Sequence, residues 1–263
     1  MSAHPERAAA LARRLRRDVV EMAAGPQGAH LGGSLSCVDV LAVLYGGLLG
    51  DQDTFVLSKG HAAPALYAAL AATGRIDRAE LSRYAEPGSR LFGHPPRGLP
   101  GVEFPTGSLG HGLSLAAGVA LAGQLTGAGG RTYALLGDGE LQEGSVWEAA
   151  LFAASRRLTS LVAVVDRNGL QLARPTEEAA GAESLEARFT AFGWQVRAVD
   201  GHDHAALGAA LGDPADRPVA VLARTVKGHG VPFLQGRVAS HYVRLRPDLL
   251  KRALAALDAQ ERR

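Results

Sequence analysis

The sequence is poor in cysteine, in lysine and in net charge. Cys37 is the single cysteine among 263 residues, which excludes an internal disulfide framework and favours a reducing compartment, by default the cytoplasm. The net charge is +2, and apart from the arginines in residues 13–17 the basic residues are scattered. Neither a nucleic-acid surface nor a membrane surface is therefore expected.

Long hydrophobic runs are also missing. The longest apolar stretch, residues 113–123, covers about eleven residues, whereas a bilayer span needs about eighteen or more. The N-terminus is rich in arginine, but Glu6, Asp18 and Glu21 interrupt it and no apolar secretory core follows. Neither a transmembrane segment nor a targeting peptide is predicted.

The first segment instead predicts an amphipathic helix. Its apolar residues recur at the spacing of one helical stripe, namely Leu11, Leu15, Val19 and Met22. The arginines of residues 13–17 would then form a solvated opposite face.

Short apolar runs alternate with helical patterns along the rest of the chain, of which 47% is hydrophobic. Strands are predicted at 55–57, 132–136, 161–165, 195–199 and 219–223. Helices are predicted at 36–49, 61–73, 111–125, 144–157, 184–192, 203–212 and 247–261. The middle strands are apolar on both faces, as in sheets covered by helices. This pattern indicates an α/β fold with a doubly wound, mostly parallel sheet and helices on both faces.

Residues 86–110 interrupt this alternation. They are rich in glycine and proline and have too few periodic apolar positions for a helix or strand. Because loops of this length in compact domains usually serve a function, a functional loop is predicted here.

Two apolar runs end in oxygen-bearing side chains. Gly-Asp-Gly at 137–139 follows one strand, and Asn168 follows the next. Parallel strands of one βαβ unit end at the same edge, so Asp138 and Asn168 are expected at the crevice where such sheets bind ligands. A carboxylate and an amide oxygen suit Mg²⁺ or Ca²⁺ when a diphosphate supplies further oxygens. A plain turn is the alternative for Gly-Asp-Gly alone, and the matching asparagine favours the metal site.

Gly-Asp-Gly followed by this asparagine resembles the fingerprint of thiamine-diphosphate enzymes, and several segments resemble transketolases in particular. They are GAHLGGSLSCVDVL, FVLSKGHAAPALYAAL, FGHP, GVEFPTGSLGHGLSLAAGVALA, GDGELQEGSVWEAA, VVDRNGLQ, FGWQVRAVDGHD and ARTVKGHGVPF. The chain is most similar to the N-terminal subunit of a split transketolase. That resemblance implies one diphosphate-binding domain over residues 1–263. It also implies a partner chain with the pyrimidine-binding and C-terminal domains, in an α2β2 assembly.

The resemblance implies transfer of a two-carbon ketol unit from a ketose to an aldose, with thiamine diphosphate and Mg²⁺ or Ca²⁺ as cofactors. The implied metal ligands are Asp138, Asn168 and the carbonyl group of Leu170. The implied cofactor-binding residues are Lys59, His61, Gly107, Ser108, Leu109, Asp138, Gly139, Asn168, Lys227 and His241. The implied catalytic residues are His30, His61, His94 and His241. The glutamate that activates the cofactor is expected on the partner, because the chain ends soon after VKGHGVP.

The residues themselves give independent support. The chain has three lysines, and Lys59 and Lys227 both stand in glycine-flanked motifs where a compact ammonium would suit a phosphate. His30, His61 and His94 stand in glycine- or proline-bearing loops outside any amphipathic face, which favours a role in proton transfer over packing.

Some positions depart from the transketolase pattern. His241 stands in Ser-His-Tyr instead of Trp-His-Gly, which leaves its role open, and Ala173 and Arg174 replace an acidic residue and glycine, a change expected to bear on substrate choice. His202 and His204 predict a helix-entry turn with Asp203 as cap, with a two-histidine metal site as the alternative.

Two other functions stay open at this point. One is a different thiamine-diphosphate enzyme, such as a 2-oxoacid decarboxylase or dehydrogenase component. The other is a non-catalytic subunit on the same fold.

Overall fold

The computed structural model describes residues 4–171, 175–176 and 184–261. In this part of the chain one sheet of five strands has the order β1-β2-β3-β5-β4, and every neighbouring pair is parallel. The strands are β1 Thr54–Leu57, β2 Thr132–Gly137, β3 Leu161–Arg167, β4 Gln195–Asp200 and β5 Val219–Arg224. The predicted α/β sheet is confirmed, and each strand ends within two residues of its predicted bounds.

Helices accompany the sheet throughout the described residues. The α-helices are α1 Pro5–Met22, α2 Leu31–Ser36, α3 Val38–Val43, α4 Ala63–Ala72, α5 Gly112–Thr126, α6 Gly144–Ser155, α7 Leu185–Ala191, α8 His204–Gly212 and α9 Pro247–Glu261. Short 3₁₀ turns lie at Gly60–Ala62, Arg78–Arg83, Gly139–Gln142 and Val238–Ser240. None of the helices in this described part is long and apolar enough to cross a membrane.

One helix prediction is wrong in its start and its continuity. In place of a helix over 36–49, the chain is helical from Leu31, is interrupted at Cys37, and ends in a π-helical turn at Leu44–Leu48. Helix α2 escapes a periodicity search because two of its residues are glycines. A Cβ on Gly32 would lie 2.3 Å from Ser240 Oγ, so close packing requires glycine there.

Two hydrophobic clusters lie on opposite faces of the sheet. In β3, Val162 and Val164 join the cluster formed with α1, α3 and α4, whereas Leu161, Ala163 and Val165 join the cluster formed with α5 and α6. Alternate strand residues point to opposite faces, so both faces of the sheet are covered by helices.

The predicted solvated arginine face of α1 is wrong at one position. Arg13 and Arg14 are exposed, but Arg16 is 7% exposed and forms an ion pair with Asp39 of α3. Leu15 and Val19 are fully buried, as predicted. Helix α1 packs against α3, α4 and α9, so its buried arc is wider than a single stripe.

Asp39 is also the acceptor for the two histidines of the β4–α8 turn. His202 Nδ1 lies 2.7 Å and His204 Nε2 lies 2.8 Å from its carboxylate oxygens, and Val226 N donates to His202 Nε2 at 2.9 Å. Asp203 caps α8 by accepting hydrogen bonds from two backbone N–H groups, as predicted.

Asp39, His202 and His229 lie close enough together to hold a metal ion. However, hydrogen bonds occupy both ring nitrogens of His202, and Arg16 already supplies a positive charge to Asp39. These contacts favour a hydrogen-bond network centred on Asp39 over the two-histidine metal site.

Arg16→Met should lower the free energy of unfolding by about 3 kcal/mol, because it breaks a buried ion pair and leaves the Asp39 carboxylate buried without its arginine partner. Arg13→Met, three residues earlier on the same helix, should change it by less than about 0.5 kcal/mol. Urea unfolding of both variants measures the difference. Equal effects would show that the ion pair contributes nothing specific.

Candidate functional site

A cleft of about 250 Å³ opens at the carboxyl ends of the central strands. It brings together segments that lie far apart in the sequence: α2, the turns after β1, β2, β3 and β5, and the long loop before α5. Its lining residues are Gly33, Lys59, His61, Gly107, Leu109, Gly137, Asp138, Gly139, Glu140, Asn168, Leu170, Gln171, Lys227 and His241. All the predicted cofactor-binding residues except Ser108, which is exposed, are in this set.

The three predicted metal ligands occupy one corner of the cleft. Strands β2 and β3 are neighbours, so Asp138 and Asn168 follow adjacent strand ends. Asp138 Oδ2 accepts a hydrogen bond from Gly169 N at 2.6 Å, and Asn168 Oδ1 accepts one from Leu170 N at 3.1 Å. The turn after β3 is thus tied to the Gly-Asp-Gly turn.

The chemistry of this corner fits a hard divalent cation. Asp138 is 5% exposed, and burial together with nearby Asp166 raises the pKa of its carboxyl group. Within the residues that the structure describes, Asp138 accepts hydrogen bonds from two backbone N–H groups and forms no ion pair. A carboxylate, an amide oxygen and a carbonyl oxygen are ligands of Mg²⁺ and Ca²⁺, and a cation would stabilise this buried negative charge.

Beneath the cleft lies a buried ion pair between Lys59 and Asp166, whose side chains are 1% and 0% exposed. Lys59 Nζ also donates to the carbonyl oxygen of Gly33 at 2.9 Å. Lys59, predicted to lie near the diphosphate, therefore borders the cleft with its ammonium group already bound to a carboxylate. Asp166 in turn accepts from Asn168 Nδ2 at 3.3 Å, which fixes the orientation of that amide.

Lys227 brings a second ammonium group to the same corner. Its Nζ lies 3.3 Å from the carbonyl oxygens of Leu170 and Gln171, and 3.3 Å from Nδ1 of His241. Burial and the neighbouring Lys59 lower the pKa of Lys227 to about 8. It therefore remains mostly charged at neutral pH and can face an anionic group.

The four predicted catalytic histidines form one cluster beside the cleft. The ring of His30 lies 5.6 Å from His61, 5.6 Å from His94 and 5.3 Å from His241 between centroids. His61 and His241 are 5.6 Å apart and both line the cleft. His30 and His94 are not among the residues that line it.

The environment keeps these imidazoles neutral at pH 7. Burial, with His241 and His94 nearby, lowers the pKa of His30 to about 4. Burial and Lys227 lower the pKa of His241 to about 4, and burial and Lys59 hold the pKa of His61 well below its usual value. A neutral imidazole can donate or accept a proton, as general acid–base work requires.

The neutral histidines predict acid lability. In the unfolded chain they bind protons below pH about 6.5, whereas His30 and His241 in the fold resist protonation until about pH 4. The unfolded state therefore binds more protons in this window, and stability falls as pH is lowered from about 6.5 to 4. The double variant His30→Gln/His241→Gln should lose less thermal stability across this window than wild type. His111→Gln, at an exposed position, is the control; equal slopes for all three proteins would contradict the assignment.

Tyr242 borders this cluster at a position where the transketolase pattern has glycine. Its ring is perpendicular to that of His30 at 4.8 Å, and its hydroxyl donates to the carbonyl oxygen of Gln27 at 2.9 Å. Ala173 and Arg174, the other departures from the pattern, lie outside the described residues.

The sequence did not identify Glu140, which lines the cleft, Asp166, which lies beneath it, or Gln171, which also lines it. Glu140 is a charged residue within the Gly-Asp-Gly motif segment, and Asp166 is a charged residue at the end of an apolar run. The sequence pattern does not show what either residue contacts.

Comparison with known proteins gives consistent results. Residues 5–260 match the family described as transketolase, thiamine diphosphate binding domain. The chain is 41% identical over 245 residues to a 6-deoxy-6-sulfo-D-fructose transketolase subunit from Clostridium sp., which covers 88% of this chain and 89% of that protein. It is 39% identical over 239 residues to an apulose-4-phosphate transketolase subunit from Phocaeicola vulgatus, covering 86% and 85%.

Comparison with solved structures also points to transketolases. The fold is similar to transketolase from Campylobacter jejuni, with a TM-score of 0.85 and 28% identity over 96% of this chain but 42% of that one. Human transketolase is 38% identical over 240 residues, which make up 38% of its length. The chain thus spans about two fifths of these longer enzymes.

These matches identify the chain as a thiamine-diphosphate-binding domain. The chain belongs to the transketolase family, and the names of the short relatives confirm the prediction of a transketolase-family subunit. They favour it over the 2-oxoacid decarboxylase alternative.

Proposed function

We propose that this chain is the diphosphate-binding subunit of a thiamine-diphosphate-dependent enzyme that moves a two-carbon ketol unit from a ketose, or ketose phosphate, to an aldose or aldose phosphate. The observation that carries this proposal is the cleft itself. Asp138, Asn168 and Leu170 all line it together with His61 and His241, two members of the histidine cluster, which supports a metal and cofactor site beside groups for proton transfer.

Each part of the cleft has a proposed task. Asp138, Asn168 and the carbonyl of Leu170 would hold Mg²⁺ or Ca²⁺, and Gly139 and Lys227 would contact the diphosphate. Residues 107–109 would lie along the thiamine ring system. When bound, thiamine diphosphate supplies a carbanion that can take up the ketol unit.

The histidines would act on the sugar. His61 and His241 line the cleft and would lie near the cofactor, and His30 and His94 would lie toward the sugar hydroxyls. As neutral imidazoles they would hydrogen-bond those hydroxyls. They would also donate a proton when the sugar carbonyl becomes an alkoxide and accept one when the carbonyl forms again. Tyr242, packed edge-on against His30, would narrow the sugar end of the site.

We propose further that residues 1–263 form one domain and work in the cytoplasm with a second chain in an α2β2 complex. That chain would carry the pyrimidine-binding domain and the glutamate that activates the cofactor. Supporting this, the short relatives are named as subunits and match this chain over 85% or more of their length, whereas human transketolase has more than half of its length outside the match.

Asp138→Asn should weaken Mg²⁺-dependent binding of thiamine diphosphate by about 10–100-fold, because it removes the one anionic ligand and keeps the size of the side chain. Calorimetry with and without Mg²⁺ measures the change. Asp216→Asn, at an exposed position, is the control. Unchanged Mg²⁺-dependent affinity in Asp138→Asn would rule out the metal assignment.

The lone chain should lack ketol-transfer activity, because the activating glutamate is proposed to lie on the partner. Co-expression with a transketolase C-terminal subunit should restore activity, which a coupled assay with a ketose phosphate and an aldose phosphate would detect. Full activity from the lone chain would refute the two-chain proposal.

A further inference from the structure

Glu140 is a buried carboxylate to which no role in the site has yet been given. It is 2% exposed and lines the cleft. Its Oε1 accepts hydrogen bonds from the hydroxyl of Ser58 and from Gly110 N at 2.9 Å. Its Oε2 accepts one from Gly137 N at 3.1 Å. One carboxylate thus serves three donors from three separate parts of the chain.

The three donors belong to three of the segments that form the cleft. Ser58 directly follows β1 and begins the Ser-Lys-Gly-His motif. Gly110 directly follows residues 107–109, proposed for the thiamine ring system. Gly137 ends β2 and directly precedes Asp138, proposed for the metal and diphosphate. The carboxylate therefore links the two ends of the proposed cofactor site.

Tight packing around these donors makes their relative positions sensitive to the link. Gly110 has φ +86°, and a Cβ there would lie 2.6 Å from Ser145 Oγ and 2.7 Å from Glu143 Cβ. A Cβ on Gly112 would lie 2.3 Å from Ser58 Oγ. With so little free space, a displaced Gly110 segment cannot be accommodated without moving its neighbours.

We propose that Glu140 is a positioning residue that fixes the distance between the ring-binding segment 107–109 and the diphosphate-binding segment 138–139. A cofactor that must contact both segments then finds them already in place. This inference rests on the proposed function, because it assigns the two segments to the two ends of one ligand.

A specific consequence follows for ligands of different length. Without the hydrogen bonds of Glu140, only a fraction of the molecules would have the correct distance between the two segments. The apparent affinity of any ligand that needs this distance is reduced by that fraction. Thiamine diphosphate needs it. Inorganic pyrophosphate, which would contact the diphosphate segment alone, does not.

The test compares these two ligands, each with Mg²⁺, by calorimetry on the wild-type chain and on Glu140→Gln. Glutamine keeps the size of the side chain but replaces one acceptor oxygen with an NH₂ donor, so at least one of the three donors loses its acceptor. Affinity for thiamine diphosphate should fall roughly tenfold, the effect of one buried hydrogen bond, while pyrophosphate affinity stays within about twofold. Asp18→Asn is the matched control, a buried carboxylate paired with Arg78 away from the cleft. It should lower the melting temperature without changing either affinity.

An equal loss for both ligands, or no loss for either, would overturn the proposal. Absence of thiamine diphosphate binding in the wild-type chain would instead contradict the proposed function. Amide hydrogen exchange would then still decide the role of Glu140. Faster exchange at Gly110 or at Gly137 in Glu140→Gln, but not in Asp18→Asn, supports the link, and unchanged exchange at both positions overturns it.

Discussion

In the parallel ladder between β2 and β3, Gly137 lies opposite Asp166, and the geometry of the site depends on this alignment. It places Asp138 and Asn168 just beyond the same edge of the sheet, where neither is needed for strand pairing. A slip of one residue would move every side chain of the strand to the opposite face of the sheet, into the wrong hydrophobic cluster. The apolar residues of both faces therefore hold the register, and the register positions the oxygens.

The buried acidic residues divide into two groups according to their partners. In the described part of the chain, Asp18, Asp39 and Asp166 each form an ion pair with a lysine or arginine. Asp138 and Glu140 accept hydrogen bonds from N–H or O–H groups without an ion pair. Both of these unpaired residues line the cleft. The first group stabilises contacts between helices and strands, whereas the second leaves negative charge and acceptor oxygens at the place proposed for a cation and its cofactor.

Much of the fold could be predicted from the sequence, because strands buried on both faces show as short apolar runs and their ends carry the polar residues of the cleft. The proximity of Asp138 to Asn168 follows from strand adjacency. The histidine cluster was predicted because His30, His61 and His94 stand in loops where packing does not account for them. The burial of Arg16 was missed, since a single apolar stripe does not show how many helices α1 contacts.

The partners of the buried charged residues also could not be predicted from the sequence. Lys59 was predicted from its motif, yet its binding to Asp166 depends on strands that lie far apart along the chain. Glu140 stands within a known motif, but the three segments that it joins are brought together by the tertiary fold. Composition and periodicity describe one segment at a time and do not show such contacts.

A crystal structure of the chain with thiamine diphosphate and Mn²⁺ tests the central claim most directly, because manganese gives an anomalous signal that identifies its position. We expect one strong anomalous peak within coordination distance, about 2.0–2.6 Å, of the side-chain oxygens of Asp138 and Asn168 and the carbonyl oxygen of Leu170, with the diphosphate on its open side. A cofactor bound elsewhere, or a metal ion held at Asp39 and His202 instead, would contradict the account.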